Sequence, residues 1–201
     1  SWHSADTAVG WEMFSSVAFD PVRGAVIAIG TGGYLRGLEW DGIRWLPMSL
    51  PTQLEQCSSL AYDVARTRLV VSGAAVGATP GSLSTWERVG TTWTTATPSP
   101  DLTSYSRLVY HAGRGTVVAT NCAGGLREWN GALWSLVPNG SGGPMPATSA
   151  VYDRLRNELV IPMFDYGTLI LQCHIWDGTA WSVRTPATSP PFRISFSHMT
   201  L

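Results

Sequence analysis

Short apolar runs recur along this chain at a nearly constant interval, and none has the capped three-four spacing of an amphipathic helix. Four segments share one pattern: SSVAFDPVRGAVIAIG from Ser15, SSLAYDVARTRLVVSG from Ser58, SRLVYHAGRGTVVATN from Ser106 and SAVYDRLRNELVIPMF from Ser149. In each, small polar residues lead into apolar ones that end on an aromatic: Phe19, Tyr62, Tyr110 or Tyr152. Asp20, Asp63 and Asp153 follow directly, with His111 as the exception, and Arg23, Arg66, Arg114 and Arg156 stand four residues beyond the aromatics. A β-branched run such as AVIAIG or TVVAT comes next. The pattern predicts a strand up to the aromatic, a tight turn braced by its own Asp and Arg as an exposed pair, and a second strand.

Tryptophans keep the same beat. They pair as Trp40/Trp45, Trp86/Trp93, Trp129/Trp134 and Trp176/Trp181, with first members 46, 43 and 47 residues apart. Three pairs flank WDGIRW, WNGALW and WDGTAW. Asp-Gly and Asn-Gly suit the positive φ values of a type I′ hairpin, so a third strand ending in one tryptophan and a fourth carrying the other are expected. A four-stranded unit of this size cannot bury both faces alone. Repeated about an axis it can, which makes the expected class all-β and the architecture a β-propeller with almost no helix. The tryptophan pairs are then expected at equivalent places between neighbouring blades, each side chain burying roughly 150–250 Å², worth about 4–6 kcal/mol at most.

The phrase of inner strand, Tyr-Asp, second strand and EWDG..W resembles kelch-type propeller repeats, in the variant common in bacterial proteins. The double glycine of that family survives loosely as Gly32-Gly33 and Gly124-Gly125, while Ser72-Gly73-Ala74 and Met163-Phe164 replace it elsewhere. WD40 repeats fit less well, because no Gly-His dipeptide is present and that pattern leaves the second tryptophan unexplained. SADTAVGW (4–11) resembles the Asp-box of sialidase-like propellers, and RVGTTW (88–93) its second half. That resemblance implies a structural hairpin between third and fourth strands, not a catalytic site.

The units run over 14–56, 57–105, 106–147 and 148–191. Trp2 and Trp11 form a fifth pair, and RISFSHMTL puts Phe196 in the aromatic phase 44 residues after Tyr152. Residues 192–201 and 1–13 are therefore expected to share a composite fifth blade. The alternative left open is a piece of a longer chain or assembly with more blades.

Composition narrows the function. Charged residues are 13%, the net charge is −1 and all 13 basic residues are arginine, which is no nucleic-acid footprint. No apolar run reaches the roughly 18 residues of a membrane span. Cys57, Cys122 and Cys173 have neither CxxC nor histidine spacing, so no metal site follows and buried thiols are expected, with a bridged pair left open. The histidines (His3, His111, His174, His198) fall at unrelated phases. No catalytic residue and no cofactor is assigned.

The 1–2 and 3–4 turns share one face of such a fold and repeat closely. The 2–3 and 4–1 loops share the other face and vary in length and content, as binding loops on a rigid scaffold do. Inner strands enter from that face with serines, leaving Arg107 and Arg193 as charged exceptions, with Tyr34, Tyr105 and Tyr166 as loop aromatics. These five are the candidate ligand-binding residues, expected around the axial opening. Arginine's fork suits acidic or hydroxyl-rich ligands, and tyrosine stacks on sugars or packs on proteins. The expectation is a non-catalytic recognition module for carbohydrate or a protein partner, extracellular or at a cell surface. A propeller enzyme (glycoside hydrolase or oxidase-like) and a structural repeat of a larger surface protein are the alternatives.

Overall fold

The computed structural model describes residues 13–31, 35–99, 101–122, 125–138, 140–141, 143, 149–165 and 170–187. These form sixteen strands and, among the described residues, no helix. The first blade is β1 (Met13–Asp20), β2 (Ala25–Thr31), β3 (Leu35–Trp40) and β4 (Trp45–Met48). The second is β5 (Leu54–Asp63), β6 (Arg68–Ala75), β7 (Ser84–Val89) and β8 (Thr92–Pro98). The third is β9 (Arg107–His111), β10 (Thr116–Cys122), β11 (Gly125–Trp129) and β12 (Trp134–Leu136). The fourth is β13 (Val151–Asp153), β14 (Glu158–Asp165), β15 (Ile170–Trp176) and β16 (Trp181–Arg184). Each is a four-stranded antiparallel sheet in chain order, and β1, β5, β9 and β13 neighbour one another along the axis, as in a β-propeller. Serines bind successive inner strands together: Leu60 N–H donates to Ser16 Oγ (3.0 Å) and Leu108 N–H to Ser59 Oγ (2.9 Å). The composite blade expected from 192–201 and the N-terminal residues, with Trp2 and Trp11, lies outside the described residues apart from Met13, which opens β1.

Both turn types rest on a side chain that gathers amides. Asp20 accepts from the amides of Val22 and Arg23 (2.9 and 3.1 Å), Asp63 from Arg66 (3.0 Å), and Asp153 from Leu155 and Arg156 (2.9 and 3.1 Å). His111 fills the role with Nδ1, which accepts from Arg114 N–H at 3.3 Å. The arginines divide. Arg66 and Arg156 pair with Asp63 and Asp153 at 2.7 Å, as expected, although Asp63 is fully buried. Arg23 and Arg114 reach instead to Glu39 and Glu128 on the third strand, because Asp20 meets Tyr62 of the next blade and His111 offers no negative charge. In the tryptophan hairpins, Asp41, Asn130 and Asp177 each accept two amides, and only Gly42, Gly131 and Gly178 take positive φ (99°, 97° and 98°). The expected type I′ turn, with two positive φ values, is thus not formed; the side-chain cap makes the second unnecessary.

The apolar core is divided among the seams between blades. One cluster joins Ile27 and Ile29 of β2 to Leu69, Val71 and Trp86 of the second blade. The next joins Val70 to Val117, Ala119 and Trp129, and the third joins Val118 to Leu159, Ile161 and Trp176. Consecutive residues of one second strand therefore serve opposite seams, which is why those strands are continuously apolar rather than alternating. Fourth-strand tryptophans reach backwards: Trp93 Nε1 donates to Ser49 O (2.8 Å), Trp134 to Thr85 Oγ1 (2.8 Å) and Trp181 to Gly140 O (3.3 Å). Trp86, Trp129 and Trp176 are fully buried, Trp134 is buried, and Trp40, Trp45, Trp93 and Trp181 are partly buried. One expected equivalence fails. Trp93 pairs across the hairpin with Arg88, whereas Trp45, Trp134 and Trp181 pair with Trp40, Trp129 and Trp176. Trp86 sits two residues earlier, so the slot that holds tryptophan in the other blades holds arginine in the second. All three cysteines are free, with Cys57 and Cys122 buried in the seams.

Candidate functional site

The loop end of the axis is best defined where β8 passes to β9. Thr103 N–H donates to Ser106 Oγ and Ser106 N–H to Thr103 O, both at 2.9 Å. Asn121, buried and left-handed (φ 57°), donates from Nδ2 to Tyr105 O at 2.9 Å. Its own carbonyl accepts from Thr103 Oγ1 (3.1 Å) and Ser106 Oγ (3.3 Å). These bonds fix the loop and present Tyr105, 66% exposed, on a rigid base. An aromatic held in this way binds without first losing loop entropy.

Arg107 opens β9 at the repeat position of Ser16 and Ser59. It is partly buried, and that burial lowers its pKa below the usual guanidinium value while leaving it charged. Its Nη1 donates to Ser106 O at 3.1 Å and, more weakly, to Ser104 O at 3.5 Å. Arg107 and Tyr105 therefore belong to one short braced segment. Tyr34, Tyr166 and Arg193, the other expected site residues, lie outside the described residues.

The turn end of the axis differs from expectation. It holds an opening of ≈ 460 Å³ to which all four inner strands contribute, with Phe19, Tyr62, Tyr110 and Tyr152 as its collar and Arg154 at its edge. The Tyr62 hydroxyl is pushed up to about 12 by burial, then by the charge and hydrogen bond of Asp20. Tyr152 OH accepts from Gly113 N–H (3.0 Å) and donates to Asn157 Oδ1. A Cβ at Gly113 would lie 2.0 Å from Asn157 Oδ1, so a side chain there would have to displace that amide. Sequence reasoning passed over this end because its turns repeat. The available signal was the apolar residue in several of them, and Val22, Ile43, Leu133 and Leu155 are indeed exposed.

Most of the described carboxylates are committed to structure. Glu39 pairs with Arg23 and Arg88, Glu87 with Arg68, Glu128 with Arg114, Glu158 with Arg184, and Asp101 with Arg127. Burial pushes the Glu39 carboxyl up, but hydrogen bonds and charge from Arg23 and Arg88 together hold it below its usual value. Among the described residues no three His, Cys, Asp or Glu side chains gather as metal ligands. What the geometry offers is donors, aromatic faces and apolar walls.

No family model matches the sequence, and no curated protein sequence matches it. Among solved structures the chain is similar to the SapL1 lectin in complex with alpha methyl fucoside: TM-score 0.56 and 14% identity, covering 86% of this chain and 62% of that one. It is also similar to YCF48 bound to D1 peptide: TM-score 0.51 and 12% identity, covering 93% of this chain and 57% of that one. Both are β-propeller proteins, and the likeness is one of fold. The chain spans less than two thirds of the length of either structure.

Proposed function

We propose that this propeller is a non-catalytic recognition module that binds a hydroxyl-rich ligand, a glycan, at the face carrying the 2–3 and 4–1 loops. The observation that carries the reading is the 66% exposed Tyr105 ring on a loop fixed by its own hydrogen bonds, two residues from the half-buried charge of Arg107. A tyrosine face stacks on a sugar ring, and a guanidinium donates to its hydroxyls. Arg193 occupies the repeat position of Arg107, and with Tyr34 and Tyr166 it completes the proposed set. The pairing of most described carboxylates with arginines favours binding over acid-base chemistry. The repeat itself we place with the kelch-type propellers, in an extracellular or cell-surface setting. Structures of similar fold are solved with a methyl fucoside and with a peptide, so a protein partner at the same face is the second reading.

A glycan array on the purified chain tests this. Tyr105→Ala is expected to weaken binding to any captured glycan at least tenfold with an unchanged melting temperature. Silence across the array, with capture of a peptide that Tyr105→Ala abolishes, would move the proposal to a protein partner. If Arg107→Ala leaves affinity unchanged and lowers the melting temperature, Arg107 is a brace for its loop and leaves the site.

A further inference from the structure

The inner-strand positions 59–63 and 107–111 of the second and third blades, which have neighbours on both sides, are buried or partly buried. Leu60 and Leu108 are 3% and 6% exposed in their seams, yet Val17, at the same repeat position in β1, is 51% exposed. Tyr62 is 8% exposed and Tyr110 partly buried, whereas Phe19, their counterpart, is 56% exposed. On the opposite flank, Val151 is 45% exposed at the position where Ala61 is 5% exposed and Val109 partly buried. A flank made to face water has no reason to keep Val, Phe and Val at the positions that pack elsewhere. The outer sides of β1 and β13 thus both expose apolar residues at repeat positions that are covered in the described seams.

We infer that a further inner strand lies between β13 and β1 and that residues 192–201 of this chain supply it. Three observations select this occupant. Arg193, Ile194, Ser195 and Phe196 run in phase with Arg107, Leu108, Val109 and Tyr110, so Ile194 and Phe196 take the positions that fill the described seams at Leu60 and Tyr62. In every described step, the fourth strand of one blade hands over to the inner strand of the next, and β16 ends at Arg184 with these residues following. Ser149 stands at the position of Ser16 and Ser59, whose hydroxyls accept the amides of Leu60 and Leu108. In the same geometry Ser149 Oγ accepts the Ile194 amide.

Cysteine pairs test this against an internal standard. Ser59→Cys with Leu108→Cys copies a contact present in the structure and calibrates the yield of oxidation. Ser149→Cys with Ile194→Cys is expected to form an intrachain disulfide in comparable yield, located by peptide mapping of the monomer. The inference is overturned if the test pair stays reduced while the standard closes. It is equally overturned if the bond forms between chains, since a second copy then fills the seam. A chain ending at residue 191 gives an independent measure. It is expected to melt more than about 5 °C lower, with increased binding of an apolar dye. An unchanged melting temperature would show that the flanks do not rely on this segment, which overturns the inference as well.

Discussion

The seam between the first and second blades and the seam between the second and third fill one repeat slot in different ways. At the second seam, Trp129 packs its indole against the neighbouring blade and donates from Nε1 to Glu87 Oε1 at 2.8 Å. At the first seam the slot holds Arg88, buried, whose guanidinium pairs with Glu39, the counterpart of Glu87, and lies 5.9 Å from the centre of the Trp93 ring. Arg88 Nε has no partner, so the pair is imperfect as well as buried. These two seams thus share a relationship: a third-strand donor reaching back to a third-strand glutamate. The residue that fulfils it changes, and so does the energy at stake, because a stranded buried charge costs far more than a stranded indole N–H.

The largest expected effect breaks the first seam. Glu39→Ala leaves Arg88 buried without its counter-charge and is expected to cost about 3–5 kcal/mol. Glu87→Ala leaves the Trp129 N–H unpaired, while Arg68 turns to solvent, and is expected to cost about 1–3 kcal/mol. Urea unfolding of both variants at neutral pH checks the ordering. Equal losses, or the larger loss at Glu87, would mean that Arg88 finds water or another acceptor when its partner is removed.

Much of this was legible in the chain. The alternation ending at Phe19, Tyr62, Tyr110 and Tyr152 placed the inner strands, because each aromatic closes a strand immediately before a turn-capping residue. The Asp-Gly and Asn-Gly phrases placed three outer hairpins. The slip at Trp86 was also legible: its partner Trp93 is seven residues away, not five, and counting five back from Trp93 lands on Arg88. Matching tryptophan to tryptophan hid it. The glutamate contacts were not legible, because Glu39–Arg88 and Glu87–Trp129 join residues 49 and 42 apart whose meeting depends on the rotation between blades. The proposed site was legible only as a face. Loop variability pointed to it, but the bracing of Tyr105 depends on Asn121 from another strand adopting a left-handed backbone, which no local pattern announces.

A middle-sized effect sharpens the comparison at the third seam. There the slot holds Trp176, whose Nε1 has no hydrogen-bond partner, while Glu128 pairs with Arg114 through Oε2. His111 lies against that ring and against Tyr152, at centroid distances of 5.3 and 4.4 Å, with its Nε2 also unpartnered. Burial, and then the charge of Arg114, lower the His111 pKa from 6.5, so the folded protein takes up this proton less readily than the unfolded chain. The unfolded chain takes up a proton as pH falls through about 6.5, before the folded one does, so acid favours unfolding. Stability is therefore full above that pH and is expected to fall by on the order of 1 kcal/mol between about pH 7.5 and pH 5.5. His111→Asn, which keeps an acceptor for the Arg114 amide, should flatten that dependence even if it lowers stability at both values. A variant as pH-sensitive as the parent would assign the effect to another group.

The smallest effect returns to the first seam, where Thr67 borders the cleft of ≈ 290 Å³ that Arg88 also lines. Thr67 is the last residue of its turn and takes φ 53°, where the other blades have Gly24 (65°), Gly115 (64°) and Asn157 (59°). Left-handed backbone strains a β-branched residue, whereas glycine enters it freely and asparagine at modest cost. Against this stand the hydrogen bond from Thr67 Oγ1 to Arg66 O (2.8 Å) and the extra freedom glycine gives the unfolded chain. The bond is solvent-exposed and local, so relief of the strain outweighs its loss. Thr67→Gly is expected to stabilise by about 0.5–1 kcal/mol, a rise of roughly 1–4 °C in melting temperature. Thr67→Asn, which copies the fourth blade, should fall between the two. Calorimetry on the three proteins decides it: a lower melting temperature for Thr67→Gly would mean that the threonine hydroxyl, not backbone strain, governs this turn, and that the seam gains from the residue that departs from the repeat.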